Sequence, residues 1–202
     1  IVRRQLSKSA GRFLNLQPLG EEEIKKLAFG RPVVAVDGSV NSVGAHYPHL
    51  LFIFQAYARS SEGDGVVLSD IITPLIPEHN KRLSNLKENN DLPEEYLLAQ
   101  TRNRVLAALE LDVATGAVEK FSPWLVLFDG GFMRFLRHAP AEWEHYTRVS
   151  RSAGVISVGV IEEAESTGLS RTLGMHDSEE FLLYDRELLF GTLNLGECLL
   201  VH

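Results

Sequence analysis

The chain has 202 residues, 45% of them hydrophobic, and a formal net charge of -7. That is enough apolar content for one substantial core, and too acidic for a general nucleic-acid coat, whose affinity comes from Lys and Arg neutralising phosphates. No apolar run approaches the ~20 residues that span a bilayer, and the N-terminal IVRRQLSKSAGRF lacks a signal-type apolar stretch, so a soluble, cytoplasmic protein without a membrane span is expected.

Cys198 is the only cysteine, which excludes an intrachain disulfide and a cysteine-based zinc site and reads as a buried, inert thiol. The chain opens on Ile1 and stops inside the apolar run Leu199-Leu200-Val201-His202, so a single domain over residues 1–202, truncated towards its C-terminus, is the expectation.

In chain order, GEEEIKKLA over residues 20–28 places acids before lysines, the charge order that suits a helix dipole, and Pro32 closes it. Val33-Val34-Ala35-Val36 then gives a short buried strand stopped by Asp37-Gly38. Apolar runs at 49–59 and 66–76, separated by SSEGDG, complete a three-strand meander. From Pro93 to Gly116 the apolar spacing is helical. Trp124 to Phe128 is a fourth strand ending at Asp129-Gly130-Gly131, residues 140–152 form a helix opened by Pro140, and Gly154 to Ile161 is a fifth strand. Residues 178–190 read as helical and 197–202 as a further strand. The order β-β-β-α-β-α-β predicts an α/β fold of the ribonuclease H-like kind, a mixed five-stranded sheet flanked by helices.

Two of these strands run into Asp-Gly. Each aspartate taken alone reads as a turn former, since Asp-Gly is a common turn pair. Together, on adjacent parallel strands, Asp37 and Asp129 would be paired like charges in need of a cation. Glu110, between Leu106 and Val113 on the long helix, is either an ordinary boundary charge or a third oxygen ligand facing the sheet. The three form the oxygen-rich cluster that Mn²⁺ or Mg²⁺ prefers, and such a site places two ions roughly 4 Å apart to activate water and stabilise the leaving oxygen of a phosphodiester. A nucleophile elbow, a G-x-x-x-x-G-K phosphate loop and zinc-spaced histidines are all missing from the sequence, which agrees with a reaction that uses no protein nucleophile. Arg102, Arg104, Arg134 and Arg137 are candidate DNA-phosphate ligands or plain surface charges. Asp185 is either an extra acid or a helix-surface residue or cap, and His138 and His145 are either proton carriers or ordinary, partly exposed histidines.

The segments Val33 to Ser39 (VVAVDGS), Arg102 to Glu110 (RNRVLAALE) and Leu125 to Gly131 (LVLFDGG) resemble the three successive motifs of NurA nucleases, and VGVI at 158–161 and DRELL at 185–189 follow in the family's order. The resemblance covers most of residues 30–200. It implies a ribonuclease H-like core, Mn²⁺-dependent 5'-to-3' exonuclease and single-strand endonuclease action on DNA, and a homodimer that partners a HerA-type hexameric ATPase translocase in DNA end resection and double-strand break repair. It also implies that Asp37, Glu110 and Asp129 are the catalytic metal ligands. Gly131 stands where the family usually has Ser, and Glu162-Glu163 where a lysine is common, while the family's late histidine is not assignable to His202.

Other readings are weaker. A haloacid-dehalogenase-like phosphatase needs an aspartate at position 35, which is Ala, and an actin-like ATPase needs a duplicated domain. The alternative that remains is a catalytically weakened NurA-like subunit serving as an assembly platform for the translocase.

Overall fold

The computed structural model describes residues 1–81, 94–162, 165–174 and 183–201. The chain forms two compact units, one of Ile1–Ile24 with Ile161–His202 and one of Lys25–Val160.

The larger unit is a five-stranded mixed sheet with helices on one face. In chain order across both units, α1 is Val2–Ser9, β1 Gly11–Asn15, α2 Glu21–Leu27, β2 Val33–His46, β3 His49–Ser60, β4 Gly65–Ile72 and α3 Glu94–Phe121. Then come β5 Leu125–Asp129, α4 Met133–His138, α5 Pro140–Ser152, β6 Ile156–Val160, α6 Gly168–Thr172, α7 Asp185–Leu189 and β7 Glu197–Val201. The large sheet runs β4-β3-β2-β5-β6, antiparallel on the meander side and parallel where β2 meets β5 and β5 meets β6.

The alternation of β3 explains which face is covered. Phe52, Phe54, Ala56, Ala58 and Ser60 are buried while Ile53, Gln55, Tyr57 and Arg59 are exposed, the period of two that sets one face of a sheet against a core. Val34 and Val36 of β2 and Val126 and Phe128 of β5 share the covered side with Ala107, Leu111, Ala114, Ala117 and Val118 of α3. Small residues on that helix let it lie close to the sheet. Phe128 is wrapped by Phe132, Phe135 and Tyr146 at centroid separations of 5.9, 5.3 and 5.3 Å, all edge to face. The buried Tyr146 hydroxyl meets Ser157 Oγ at 2.7 Å, and burial pushes its pKa up to about 12 against that hydrogen bond. At the N-terminal ends of the parallel strands, Arg31 donates to the carbonyls of Ser122 (2.8 Å), Pro123 (2.6 Å) and Ala153 (2.9 Å) and so neutralises the carbonyl-rich ends of α3 and α5.

Three boundaries differ from the sequence expectation. Strand β2 does not stop at Asp37-Gly38 but continues for 14 residues, because Gly38 is paired with Ala56 in the β3 ladder and forms no turn. Helix α3 runs through Gly116, whose α-carbon faces Val66 of β4, and ends only before Pro123. Strand β4 ends at Ile72, two residues before Pro74, which has no N–H for a ladder. The short helix α4 was not expected at all.

In the smaller unit, β1 pairs antiparallel with β7, and Leu6, Ala10, Leu169 and Leu188 form its core. Arg3 grips Glu197 with both terminal nitrogens, at 2.8 and 2.6 Å, and this holds the Glu197 carboxyl down at about 2. Cys198 is half-buried on β7, free, and less enclosed than the sequence suggested. Of the helix expected at 178–190, residues 183–190 are described and only Asp185–Leu189 are helical; residues 178–182, like Glu163 and His202, lie outside the described residues.

Candidate active site

The parallel ladder between β2 and β5 pairs Val33, Val34, Ala35 and Val36 with Leu125, Val126, Leu127 and Phe128. Asp37 and Asp129 are the next residues on the two strands, so they stand side by side in register on neighbouring strands, whose spacing is about 4.8 Å. Because Val36 and Phe128 face the helices, the aspartates fall on the opposite, open face, and both are exposed. Asp37 Oδ1 accepts the Gly38 amide at 2.7 Å, which fixes one carboxylate oxygen against its own backbone. Beyond Asp129 the chain turns at Gly130, whose φ of 83° favours glycine and whose amide donates to Val160 at 2.7 Å.

Glu110 reaches this pair from the helical side, past Gly38. A β-carbon at Gly38 would lie 2.5 Å from Glu110 Oε1 and 2.8 Å from its Cγ, so only a glycine leaves room for the carboxylate. The residue is 1% exposed. Burial, with a smaller push from the negative charges of Asp37 and Asp129, lifts its pKa to about 7 against the pull of Arg134. The two aspartates therefore act electrostatically on Glu110, and the structure brings the three expected acids into one region.

The counter-charge is Arg134 on α4. Its Nη1 donates to Glu110 Oε1 at 3.0 Å, and its Nη2 donates to the Asp129 carbonyl at 2.7 Å and lies 2.5 Å from Glu110 Oε2. That last approach is an ion pair without hydrogen-bond alignment, and it leaves buried Glu110 Oε2 and Arg134 Nε unsatisfied. Among the described residues no three His, Cys, Asp or Glu side chains are already arranged as a metal cage. The cation next to Glu110 is the guanidinium. The donor set nevertheless fits a hard divalent ion: three carboxylates, two of them exposed and adjacent, and an incompletely bonded buried oxygen.

The other expected residues of the larger unit lie on α3, α4 and α5. Arg102 and Arg104 are exposed on α3, eight and six residues before Glu110, roughly 12 and 9 Å along the axis. Arg137 is exposed at the end of α4, His138 is half-buried, and exposed His145 meets Arg148 at 3.0 Å. Asp185, in the smaller unit, is a cap rather than a surface group: it is buried, and it accepts from Ser166 Oγ (2.7 Å) and from the amides of Leu169 (2.9 Å) and Ser170 (3.2 Å) at the start of α6. The sequence reading missed Gly38, masked as a turn glycine, although a glycine directly after a strand aspartate was the available signal for a close approach.

A family model described as the NurA domain matches residues 31–199. No curated protein matches the chain. Among solved structures, Ciona intestinalis endonuclease V in complex with a 24mer DNA containing an inosine followed by a ribo-adenosine is similar at 12% identity and a TM-score of 0.26, over 89% of this chain and 66% of that one. The chain thus spans just under two thirds of that structure's length. No helix among the described residues is long and apolar enough to cross a membrane.

Proposed function

The chain belongs to the NurA family of nucleases, and from that premise we propose that it is a Mn²⁺- or Mg²⁺-dependent deoxyribonuclease on a ribonuclease H-like core, with Asp37, Glu110 and Asp129 as the metal ligands. The observation that supports this most is the in-register placement of Asp37 beside Asp129, with Glu110 buried against the intervening Gly38.

Bound divalent ions would supply a hydroxide nucleophile and charge stabilisation at the leaving oxygen. The protein's own residues do the rest. Asp37 and Asp129, exposed on the open face, present oxygens where a phosphodiester can approach, while Glu110 is held off from bulk water by α3. Arg134 has two roles: it balances Glu110 in the metal-free protein, and it keeps a guanidinium within reach of a phosphate oxygen once the carboxylate has another partner. Arg102, Arg104 and Arg137 are assigned to the flanking DNA backbone, which a protein of this net charge must hold locally. The family reading extends to 5'-to-3' exonuclease and single-strand endonuclease action, DNA end resection in break repair, a homodimer, and a HerA-type hexameric ATPase translocase as partner.

The test is cleavage of linear DNA with Mn²⁺ by the wild type, Asp37→Ala and Asp129→Ala, with metal binding followed by calorimetry. Both variants are expected to lose cleavage and keep their fold; wild-type rates in either would remove the site. The guanidinium seated on Glu110 favours one second reading, a platform subunit with weakened chemistry. It predicts metal binding without cleavage.

A further inference from the structure

Strand β3 carries an exposed aromatic next to the carboxylate pair that the nuclease chemistry does not use. Tyr57 is the cross-strand partner of Asp37, and on its other side it pairs with Val67 of the edge strand β4. Opposed residues in a sheet project to the same face, so Tyr57 shares the open face with Asp37. Two residues along in each direction on that face are Gln55, opposite Ser39 and Ser69, and Arg59, opposite Ala35 and Gly65.

The Tyr57 ring is held in place. A β-carbon at Gly65 would come 2.4 Å from Cε2 and 2.5 Å from Oη, so the ring occupies the space that this glycine leaves open. Contact with the β4 backbone restrains the ring, yet the residue remains 41% exposed. Its hydroxyl has no hydrogen bond and Arg59 no ion pair among the described residues. Covering a glycine on an edge strand is a sufficient structural use for an aromatic. It accounts for neither the unpaired cation two residues away nor the position one strand from the carboxylates.

We infer that Tyr57, Gln55 and Arg59 form a platform for single-stranded nucleic acid, on which an unpaired base stacks against Tyr57 while Arg59 takes an adjoining phosphate. A restrained, half-open ring is a stacking surface with little ordering cost, and every base offers it a π-face. The cation beside it suits the backbone, Gln55, Ser39 and Ser69 offer hydrogen-bonding groups along the strand, and the exposed Val67 and Ile53 on the same face are further apolar surface for a base. The inference rests on the nuclease reading for its substrate class, and it would place an unpaired nucleotide next to the carboxylate pair.

The experiment reads binding without metal, so that nothing is cut. Fluorescence anisotropy in EDTA compares a labelled oligothymidylate with an abasic sugar-phosphate strand of equal length and charge. Wild type and Tyr57→Phe should prefer the thymidylate at least roughly fivefold, the low end of what base–aromatic stacking contributes. Tyr57→Leu, which still covers Gly65, should lose that preference with its thermal midpoint unchanged, and Arg59→Gln should weaken both strands alike. Equal wild-type affinity for the two strands, no binding of either, or a preference that survives Tyr57→Leu would each overturn the platform. Loss of Mn²⁺-dependent cleavage in the wild type would instead strike the nuclease reading and leave the binding result standing.

Discussion

Arg134 grips Glu110 with both terminal nitrogens, Nη1 at 3.0 Å from Oε1 and Nη2 at 2.5 Å from Oε2. The same guanidinium reaches the Asp129 carbonyl, so one side chain from a six-residue helix ties α3 to the end of β5. Removing it strands a carboxylate that is almost wholly buried. Arg134→Met should cost roughly 3 kcal/mol near pH 8, the loss typical of breaking a buried pair. Towards pH 5 the cost should shrink, because Glu110 is then neutral with or without its partner. Urea denaturation at the two pH values measures this; an equal loss at both would mean that the pair is not what the arginine stabilises.

Glu110 also sets the direction in which metal-free stability responds to pH. Its folded pKa, about 7, lies above the ordinary 4.5. The folded state therefore binds the proton more tightly, and the group's contribution is complete below the unfolded pKa and is lost as pH rises through the folded one. Between about pH 4.5 and 7 stability should fall by roughly 3 kcal/mol from this group and then level off. Glu110→Gln should remove that slope, so the difference in unfolding free energy between wild type and variant, followed across this window in EDTA, carries the result. Parallel pH profiles would show that Glu110 titrates normally.

The Gly38 position predicts a separation of fold from chemistry. In Gly38→Ala the new methyl would sit 2.5 Å from Glu110 Oε1 and 2.9 Å from Leu106 Cδ1, so the glutamate must move. Overpacking of this kind costs roughly 1–3 kcal/mol, which leaves the sheet folded. Cleavage should fall by much more than the stability loss accounts for, because the displaced carboxylate is a proposed ligand. A variant with near wild-type turnover would show that Glu110 need not stand where it does.

These sites differ in how far the sequence displayed them. The extent of β3 and the Pro-led helix α5 were legible nearly residue for residue, since an apolar run bounded by a turn segment and a proline at the first helical position are local signals; which residues of β3 face the core was not. The two strand-borne aspartates were legible as a pair. Asp37-Gly38 was read as the end of its strand because the feature that decides it, the pairing of Gly38 with Ala56 in the β3 ladder, is not local, and the Glu110 carboxylate that needs a glycine there comes from a helix more than fifty residues later. Arg134 was visible only as a charge near Asp129, since a six-residue helix is too short for periodicity to announce its face. Tyr57 gave no signal at all: in sequence it is one more aromatic in a strand, and its place beside Asp37 comes from the ladder register.

Divalent metal should stabilise the protein through the same three acids. A ligand that binds only the folded state adds RT ln(1 + [L]/Kd), about 2.7 kcal/mol at a hundredfold excess over Kd, and Mn²⁺ must displace from Glu110 both a proton and the Arg134 guanidinium. The thermal shift with Mn²⁺ should therefore grow from pH 6 to pH 8, as Glu110 passes its pKa of about 7 and becomes available as an anion. Asp37→Asn should abolish the shift while raising the metal-free midpoint slightly, since it relieves the repulsion with Asp129. Arg134→Gln should enlarge the shift, because the competing cation is gone. Scanning calorimetry with and without Mn²⁺ separates these outcomes: a shift that is independent of pH and intact in Asp37→Asn would place the ion elsewhere on the protein.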